Sequence, residues 1–359
     1  MTEATLASGR PAVSVIVPAR NEEACLGACL QSLVAQTGVS YEIFVIDDGS
    51  TDRTREIAQS FPGVQVVDAQ PLPAGWTGKN NAMVCGARQA AGEWLLFTDA
   101  DTVHLPGSLA RSLTEAIQRR ASLLSYSPRQ DVDSLSEKAV MPVIFAELAA
   151  TYRPSQVSDP ASRAAAANGQ YLLISREAYR AVGGHASVAA SLLEDVALAS
   201  AVKRSGRRIF FRYGGDAVRT RMYRSFGELR DGWTKNLALL FPSPVRLAVL
   251  RITEFVLISG SAILAAIAAA GNRPRVAAVM ALAAMVFYAL LLKRIRRAHF
   301  SWDANLLSLL GLPLFSYLLL RSKLAHREGT VTWKGRTYGA GQTHAAPIDS
   351  YQGMHSGMP

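Results

Sequence analysis

Four polar clusters interrupt an otherwise apolar amino-terminal half, and each has residue types suited to chemistry. Asp99-Ala100-Asp101 follows the run Leu95-Leu96-Phe97-Thr98. On an extended backbone, residues two apart point to one side, so Asp99 and Asp101 can offer two carboxylates to one hard cation. Mg²⁺ or Mn²⁺ held by so few protein oxygens completes its shell with diphosphate oxygens and water. Glu194-Asp195 precedes the helical stretch Val196 to Lys203, with Gly183-Gly184 upstream. A carboxylate there is either a cap favoured by the helix dipole or, for Asp195, a general base that takes a proton from an acceptor hydroxyl. Phe44 to Ile46 run into Asp47-Asp48-Gly49-Ser50-Thr51-Asp52. Asp48 can accept hydrogen bonds from a nucleoside's base or ribose, while Asp52 can cap the next helix. Val13 to Pro18 followed by Ala19-Arg20-Asn21-Glu22-Glu23 reads as a strand-to-helix turn with Asn21 or a neighbour as cap.

These clusters need elements to position them. The pattern predicts strands over Val13 to Val17, Glu42 to Ile46, Val64 to Val67 and Trp94 to Thr98, and helices over Glu23 to Ala35, Asp52 to Ser60 and Asn80 to Ala91. Such alternation implies a Rossmann-like α/β fold with a mostly parallel sheet and a ligand site at the strands' carboxyl ends. Composition changes near Phe241-Pro242-Ser243-Pro244, after which come three apolar runs, about Leu247 to Ala270, Val276 to Leu292 and Leu306 to Leu320. The expected division is a flexible terminus over 1–10, a catalytic domain over 11–244, carboxyl-terminal membrane helices over 245–325 and a tail over 326–359, disordered from Gly339. Arg251 and Glu254 are expected to snorkel or to pair across one helical turn. Lys293, Arg294, Arg296 and Arg297 place the loop after the second run on the catalytic side. A third full crossing would put Arg321, Lys323, Arg327, Lys334 and Arg336 outside. Gly311 and Pro313 are therefore expected to break that run into a re-entrant or interfacial element.

The balance of 359 residues, 49% apolar and only 18% charged, with mean hydropathy +0.13, excludes a disordered, collagen-like or wholly soluble chain. Cys25, Cys29 and Cys85 are too few for a disulfide framework and suit a reducing compartment. The first two, four apart on a helix, are expected to pack as small apolar groups. A net charge of +10 suits phosphate ligands or an anionic membrane surface. No nucleic-acid partner is expected, since helix-turn-helix, zinc-finger and RNA-binding aromatic signatures are missing. No targeting segment is visible in Met1 to Pro11, so the amino-terminal part is expected to stay on the synthesis side; with the apolar runs this gives a multi-pass protein of the cell membrane with its catalytic domain on the cytoplasmic side.

In this order, the clusters resemble the family 2 glycosyltransferases, inverting enzymes of the GT-A fold. The resemblance runs from about Val13 to Phe241 and rests on Val-Pro-Ala-Arg-Asn-Glu (17 to 22), Asp-Asp-Gly-Ser-Thr-Asp (47 to 52), Asp-Ala-Asp (99 to 101), Gly-Gly (183 to 184) and Glu-Asp (194 to 195). Leu72-Pro73-Ala74-Gly75-Trp76-Thr77-Gly78-Lys79-Asn80 is similar to a loop of the membrane-bound hopene-associated and carotenoid glycosyltransferases, and Val331 to Tyr338 to their tail. The resemblance implies a nucleotide-sugar site containing Pro18, Glu22, Asp48, Lys79, Asp99 and Arg221. It implies a Mn²⁺ or Mg²⁺ ion on Asp101 and Asp99, Asp195 as catalytic base, and Glu194, Trp233 and His185 toward a lipid acceptor. Trp233 could equally anchor at the membrane interface, and Arg219 could join Arg221 on the leaving diphosphate. Leu229-Arg230-Asp231-Gly232-Trp233 has Gly232 where processive relatives carry arginine, which argues against polymer synthesis. A polyprenyl-phosphate sugar synthase, a nucleotidyltransferase and a non-catalytic membrane scaffold are the alternatives.

Overall fold

The structure, a computed structural model, describes residues 10–338. The expected flexible start before Arg10 and the tail from Gly339 lie outside them. Seven strands form the main sheet: β1 (Val13–Ala19), β2 (Tyr41–Asp47), β3 (Val64–Asp68), β4 (Trp94–Phe97), β6 (Leu123–Ser127), β8 (Leu172–Ser175) and β9 (Ile209–Tyr213). They lie in the order β3-β2-β1-β4-β8-β6-β9. All neighbours run parallel except β8, which is antiparallel to β4 and β6. A smaller sheet joins β5 (Thr102–His104), β10 (Val218–Thr220) and β7 (Arg129–Gln130) at the carboxyl edge.

Register brings the chemistry together. Ala19 pairs with Asp47 across β1 and β2, and Ile16 with Phe97 across β1 and β4, so the segments after all three strands leave from one edge. The chain order reverses between β1 and β4, which opens a crevice there. Alternate side chains of the strands feed two cores. Val13, Val15 and Val17 pack with Leu26, Leu30 and Leu33 of the helix Leu26–Val34. Ile16, Phe44 and Phe97 pack with Met83 of the helix Gly78–Gln89 and with Leu198 and Val202 of the helix Glu194–Arg204.

A third core lies away from the sheet. It joins Val140 and Ile144 of the helix Leu135–Thr151, Leu229 and Leu237 of the helix Phe226–Leu240, and Leu312, Phe315 and Leu319 of the helix Trp302–Glu328. The helices Pro244–Ala270, Pro274–Ile295 and Trp302–Glu328 are each long and apolar enough to cross a membrane. They differ in what covers them: 11% and 6% of the most apolar windows of the first two are buried, against 50% of the third.

The expected break at Gly311 and Pro313 does not occur; Trp302–Glu328 is one continuous helix with Pro313 inside it. Gly311 allows close approach instead of interruption, because a Cβ there would run into the Ala139 carbonyl of the helix Leu135–Thr151. Both ends of this helix touch the catalytic body. Asp303 pairs with Lys138 at 2.7 Å near the start, and toward the other end the Ser322 hydroxyl donates to the Thr234 carbonyl at 2.6 Å. Arg251 and Glu254 do pair across a turn, Nη1 to Oε2 at 2.6 Å, and the pair extends to Arg294 at 2.8 Å and Glu147 at 3.1 Å. This alternating cluster joins both long helices to the catalytic body at one end.

A larger residue at the Gly311 crossing must push two backbones apart. Gly311→Leu is expected to destabilise the protein by about 1–3 kcal/mol, seen as a lower unfolding temperature in detergent, whereas Gly260→Leu, which meets nothing within 4 Å, is expected to leave it unchanged.

Candidate active site

At the crevice the structure has a cavity of about 930 Å³. Its lining includes Pro18, Glu22, Asp48, Lys79, Asp99, Asp101, Glu194 and Asp195, and with them Phe145, Leu148, Tyr152, Phe211, Met222, Tyr223, Trp233 and Leu240. The four aspartates singled out from the sequence thus share one space.

Lys79 organises the charged residues of the lining. It follows Gly78 in the first turn of the helix Gly78–Gln89, where Thr77 accepts from the Asn80 N–H at 3.2 Å. Its Nζ bridges Asp99 Oδ1 at 2.7 Å and Glu194 Oε1 at 2.8 Å. Burial alone would lower the Lys79 pKa, but the two carboxylates outweigh it and hold it well above the ordinary lysine value. Glu194 answers in kind: burial works against its charge, yet Lys79 and Lys235 hold it below the usual carboxylate range. The Asn80 amide fixes the segment leading to Glu194 by donating to the carbonyls of Val188, Ala189 and Ser191 at 3.0, 2.9 and 3.1 Å. Glu194, expected toward the acceptor, lines the cavity with its carboxylate paired to Lys79, beside Asp195.

Asp195 stands in the first turn of its helix and accepts from the Gly169 N–H at 2.8 Å and from its neighbour Val196 N–H at 2.8 Å. Burial first, then Glu194, push its carboxyl up to about 6. Asp101 is pushed up to about 7 by burial and by the charges of Asp99 and Glu22. This negative field is what a divalent cation would relieve. No cluster of three or more His, Cys, Asp or Glu ligands occurs among the described residues. The donor set on offer is therefore two hard carboxylates, a set that suits an ion keeping water and phosphate oxygens in its shell.

The other expected residues fall into place unevenly. Glu22 and Asp48 line the cavity, paired with Lys334 and Arg336 of a hairpin far along the chain. Arg221 lines it too, with Nη1 at 2.6 Å from Asp133. Arg219 does not; it is a largely exposed strand charge beside Asp131 at 3.6 Å. Trp233 is a buried cavity wall and no interfacial anchor: it is 2% exposed, and its Nε1 donates to Met141 Sδ at 3.4 Å. Gly232 has no room for the arginine of processive relatives because the Tyr223 ring fills that space.

Two expectations are corrected. His185 does not face an acceptor, for it lies outside the cavity lining, 1% exposed, with Nδ1 3.1 Å from the Tyr179 hydroxyl and its ring edge-on to Phe97. Burial, then Lys79, push its pKa down to about 3, so it is a neutral core histidine. Asn21 caps no helix; at φ +54° it accepts from the Thr51 N–H at 2.9 Å and ties the β1 loop to the β2 loop. Asp52 does receive the Thr54 N–H at 3.0 Å, the capping contact expected of it. Lys235 was missed. It lines the cavity on the helix Phe226–Leu240, and burial lowers its pKa against the pull of Glu194.

A model of the family described as "Glycosyl transferase family 2" matches residues 14–182. The chain is also 30% identical over 348 residues to a 4,4'-diaponeurosporenoate glycosyltransferase of Staphylococcus aureus, covering 93% of this chain and 90% of that one. This chain belongs to glycosyl transferase family 2. Its fold is similar to a mannosyltransferase from Pyrobaculum calidifontis solved with GDP-Man and Mn²⁺, with a TM-score of 0.50 and 18% identity over 89% of this chain and 87% of that one. The mostly parallel sheet, the crevice at its carboxyl edge and the apolar helices that follow are thus those of a GT-A glycosyltransferase.

In this family 2 enzyme, Lys79→Met should strand Asp99 and Glu194 as unpaired carboxylates. The loss is expected to be on the order of 2 kcal/mol, less than for a fully enclosed pair because Lys79 is a third exposed. Glu194 has a depressed pKa in the folded protein, so its pairing stabilises at neutral pH and fades in acid. Thermal unfolding should therefore show a larger deficit for the variant at pH 7.5 than at about pH 3, below the ordinary carboxylate range.

Proposed function

We propose that this glycosyltransferase moves a sugar from a nucleoside diphosphate sugar, UDP-linked, to the polar head of a long apolar lipid acceptor at a membrane surface, with inversion. The single observation behind this reading is the mixed lining of one cavity, in which Glu22, Asp48, Lys79, Asp99, Asp101, Glu194 and Asp195 share a space with Phe145, Leu148, Tyr152, Phe211, Met222 and Leu240. A wholly water-soluble acceptor would not call for so much apolar lining. The likeness to the Staphylococcus aureus 4,4'-diaponeurosporenoate glycosyltransferase supports a carotenoid-like or other isoprenoid acceptor.

In this reading the nucleoside lies toward Pro18, Glu22 and Asp48, and the diphosphate toward Asp99 and Asp101, which would hold Mn²⁺ or Mg²⁺. When bound, such an ion supplies positive charge against the departing phosphate oxygens. Asp195 removes the acceptor hydroxyl proton while the acceptor oxygen forms its bond to the anomeric carbon from the face opposite the diphosphate. The carbon–oxygen bond to the diphosphate breaks, and the nucleoside diphosphate leaves with the electron pair. A carboxylate acceptor attacks without surrendering a proton. Lys79, held by Asp99, supplies a fixed positive charge beside the leaving group.

The same reading orients the helices. Pro244–Ala270 and Pro274–Ile295 form a membrane-crossing hairpin whose two ends return to the catalytic side through Arg251, Glu254, Arg294 and Glu147. Trp302–Glu328 lies along the interface with one face on the catalytic body. Lys293, Arg294, Arg296 and Arg297 then stand at the cytoplasmic surface.

Incubation of membranes with labelled nucleotide sugar, a lipid extract and Mn²⁺ is expected to yield a labelled lipid. A product labile to mild acid would instead mark a phosphate acceptor. Asp195→Asn should cut transfer to a hydroxyl acceptor by 10² or more while leaving nucleotide binding intact, and Asp101→Ala should abolish metal-dependent turnover. Full activity of Asp195→Asn on a hydroxyl acceptor would refute the base assignment.

Because the base acts in its ionised form and burial holds it near 6, kcat/KM on such an acceptor should rise with pH through about 6 and level off above it. A carboxylate acceptor should flatten that limb.

A further inference from the structure

The acids expected to bind the nucleoside already have partners, and those partners come from the far end of the chain. Strands β11 (Val331–Trp333) and β12 (Arg336–Tyr338) form an antiparallel hairpin turned by Lys334 at φ +46° and Gly335 at φ +74°. Val331 and Tyr338 are buried against Leu192, just upstream of Glu194, and Lys235 Nζ stands 5.2 Å over the Trp333 ring. So seated, the hairpin places the Lys334 ammonium on Glu22 and the Arg336 guanidinium on both oxygens of Asp48, the second contact at 3.0 Å. The Arg20 Nε donates to the Lys334 carbonyl at 3.3 Å and fixes the turn. Arg336 passes so close to Gly78 that any Cβ there would strike it, which puts the guanidinium directly beside the helix start that carries Lys79.

Charge explains why the hairpin is there. Glu22, Asp48, Asp99, Asp101, Glu194 and Asp195 line the cavity together with Arg20, Lys79, Arg221, Arg224, Lys235 and Arg297 of the rest of the body. Lys79 is taken by Asp99 and Glu194 and Arg221 by Asp133, so among the described residues Glu22 and Asp48 find their ion pairs on the hairpin. The hairpin thus adds two more cations, Lys334 and Arg336, the first of them also close enough to Asp101 to ease the burial of its charge. Both are long flexible side chains with about a quarter to a third of their surface exposed, so they can change partner without the hairpin moving.

Resting on the donor class proposed above, we propose that Lys334 and Arg336 are donor-site residues: they neutralise Glu22 and Asp48 until a nucleoside diphosphate arrives, then turn to its phosphates and release those carboxylates to the nucleoside. The hairpin thereby couples recognition of the nucleoside to recognition of the diphosphate, since each needs the same two cations to move. These residues lie well beyond the 14–182 segment that the family model matches.

The test is binding to the full chain in detergent micelles with Mn²⁺, using UDP and GDP against uridine and guanosine. Lys334→Ala combined with Arg336→Ala is expected to weaken diphosphate binding at least tenfold. Nucleoside binding should stay equal or become tighter, because its carboxylates have lost their competitors. Lys334→Arg combined with Arg336→Lys should restore most of the diphosphate affinity. Unchanged or tighter diphosphate binding by the double alanine variant would overturn the inference and mark the hairpin as a plug. Parallel loss of nucleoside and diphosphate binding would also overturn it, as damage to the pocket. If the double variant does not fold, Arg336→Gln alone is read by the same criteria. Failure of the parent to bind either diphosphate would remove this inference together with the donor class, whereas a binding parent and an indifferent variant would remove this inference alone.

Discussion

The site depends on how six carboxylates can be gathered at one sheet edge without driving the fold apart. Lys79 is the fixed part of the answer, because one ammonium bridges the β4 loop through Asp99 and the helix of Asp195 through Glu194. The alignment of β1, β2 and β4 delivers the acids, but alignment alone would leave them repelling one another across a poorly hydrated space. Glu194, Lys79 and Asp99 therefore form a strut, of which Asp99 also faces the cavity. Burial, then the neighbouring charge of Glu194, raise the Asp195 carboxyl to about 6, high enough to accept a proton near neutral pH. Lys334 and Arg336 are the movable part of the same balance.

Much of this was legible before any coordinates. An apolar run ending in small and acidic residues is a strong local signal, and β1, β2, β3 and β4 lie where the periodicity predicts them, within two residues at each end. Asp48, Asp99, Asp101 and Asp195 were readable for the same reason: each follows a strand or opens a helix at the edge where ligands gather. What sequence could not carry was pairing at a distance. Lys334 and Arg336 stand about 290 to 310 residues from the acids they meet, and in the chain they read as charges of a membrane flank. Lys235 sits on a helix of mixed polarity whose buried face is set by packing alone.

The misread residues have equally physical causes. His185 follows two glycines, which suggests an open loop, but the left-handed Gly183 and Gly184 turn the chain so that the Tyr179 hydroxyl, six residues back, can take both the His185 amide and ring. Glycine and proline at 311 and 313 suggest a break. A helix held on its buried side by the core of Val140, Ile144 and Leu237 loses too little from one proline to give way. Local propensity yields there to tertiary packing, and the glycine that looked like a weak point is the place of closest approach.

The apolar part of the cavity lining has a further consequence. The lining also includes Arg297, Ala298 and His299, immediately after the second long apolar helix, so in the orientation proposed above the cavity would open at the level where a bilayer's acyl chains begin. Each methylene drawn into water costs about 0.8 kcal/mol, which would weigh heavily on a substrate with a tail of several isoprene units hauled out for modification. For the lipid acceptor proposed above, a cavity at that depth would remove the need: the tail would keep its oily surroundings throughout, only the headgroup would tip inward, and the glycosylated product would return to the leaflet from which it came.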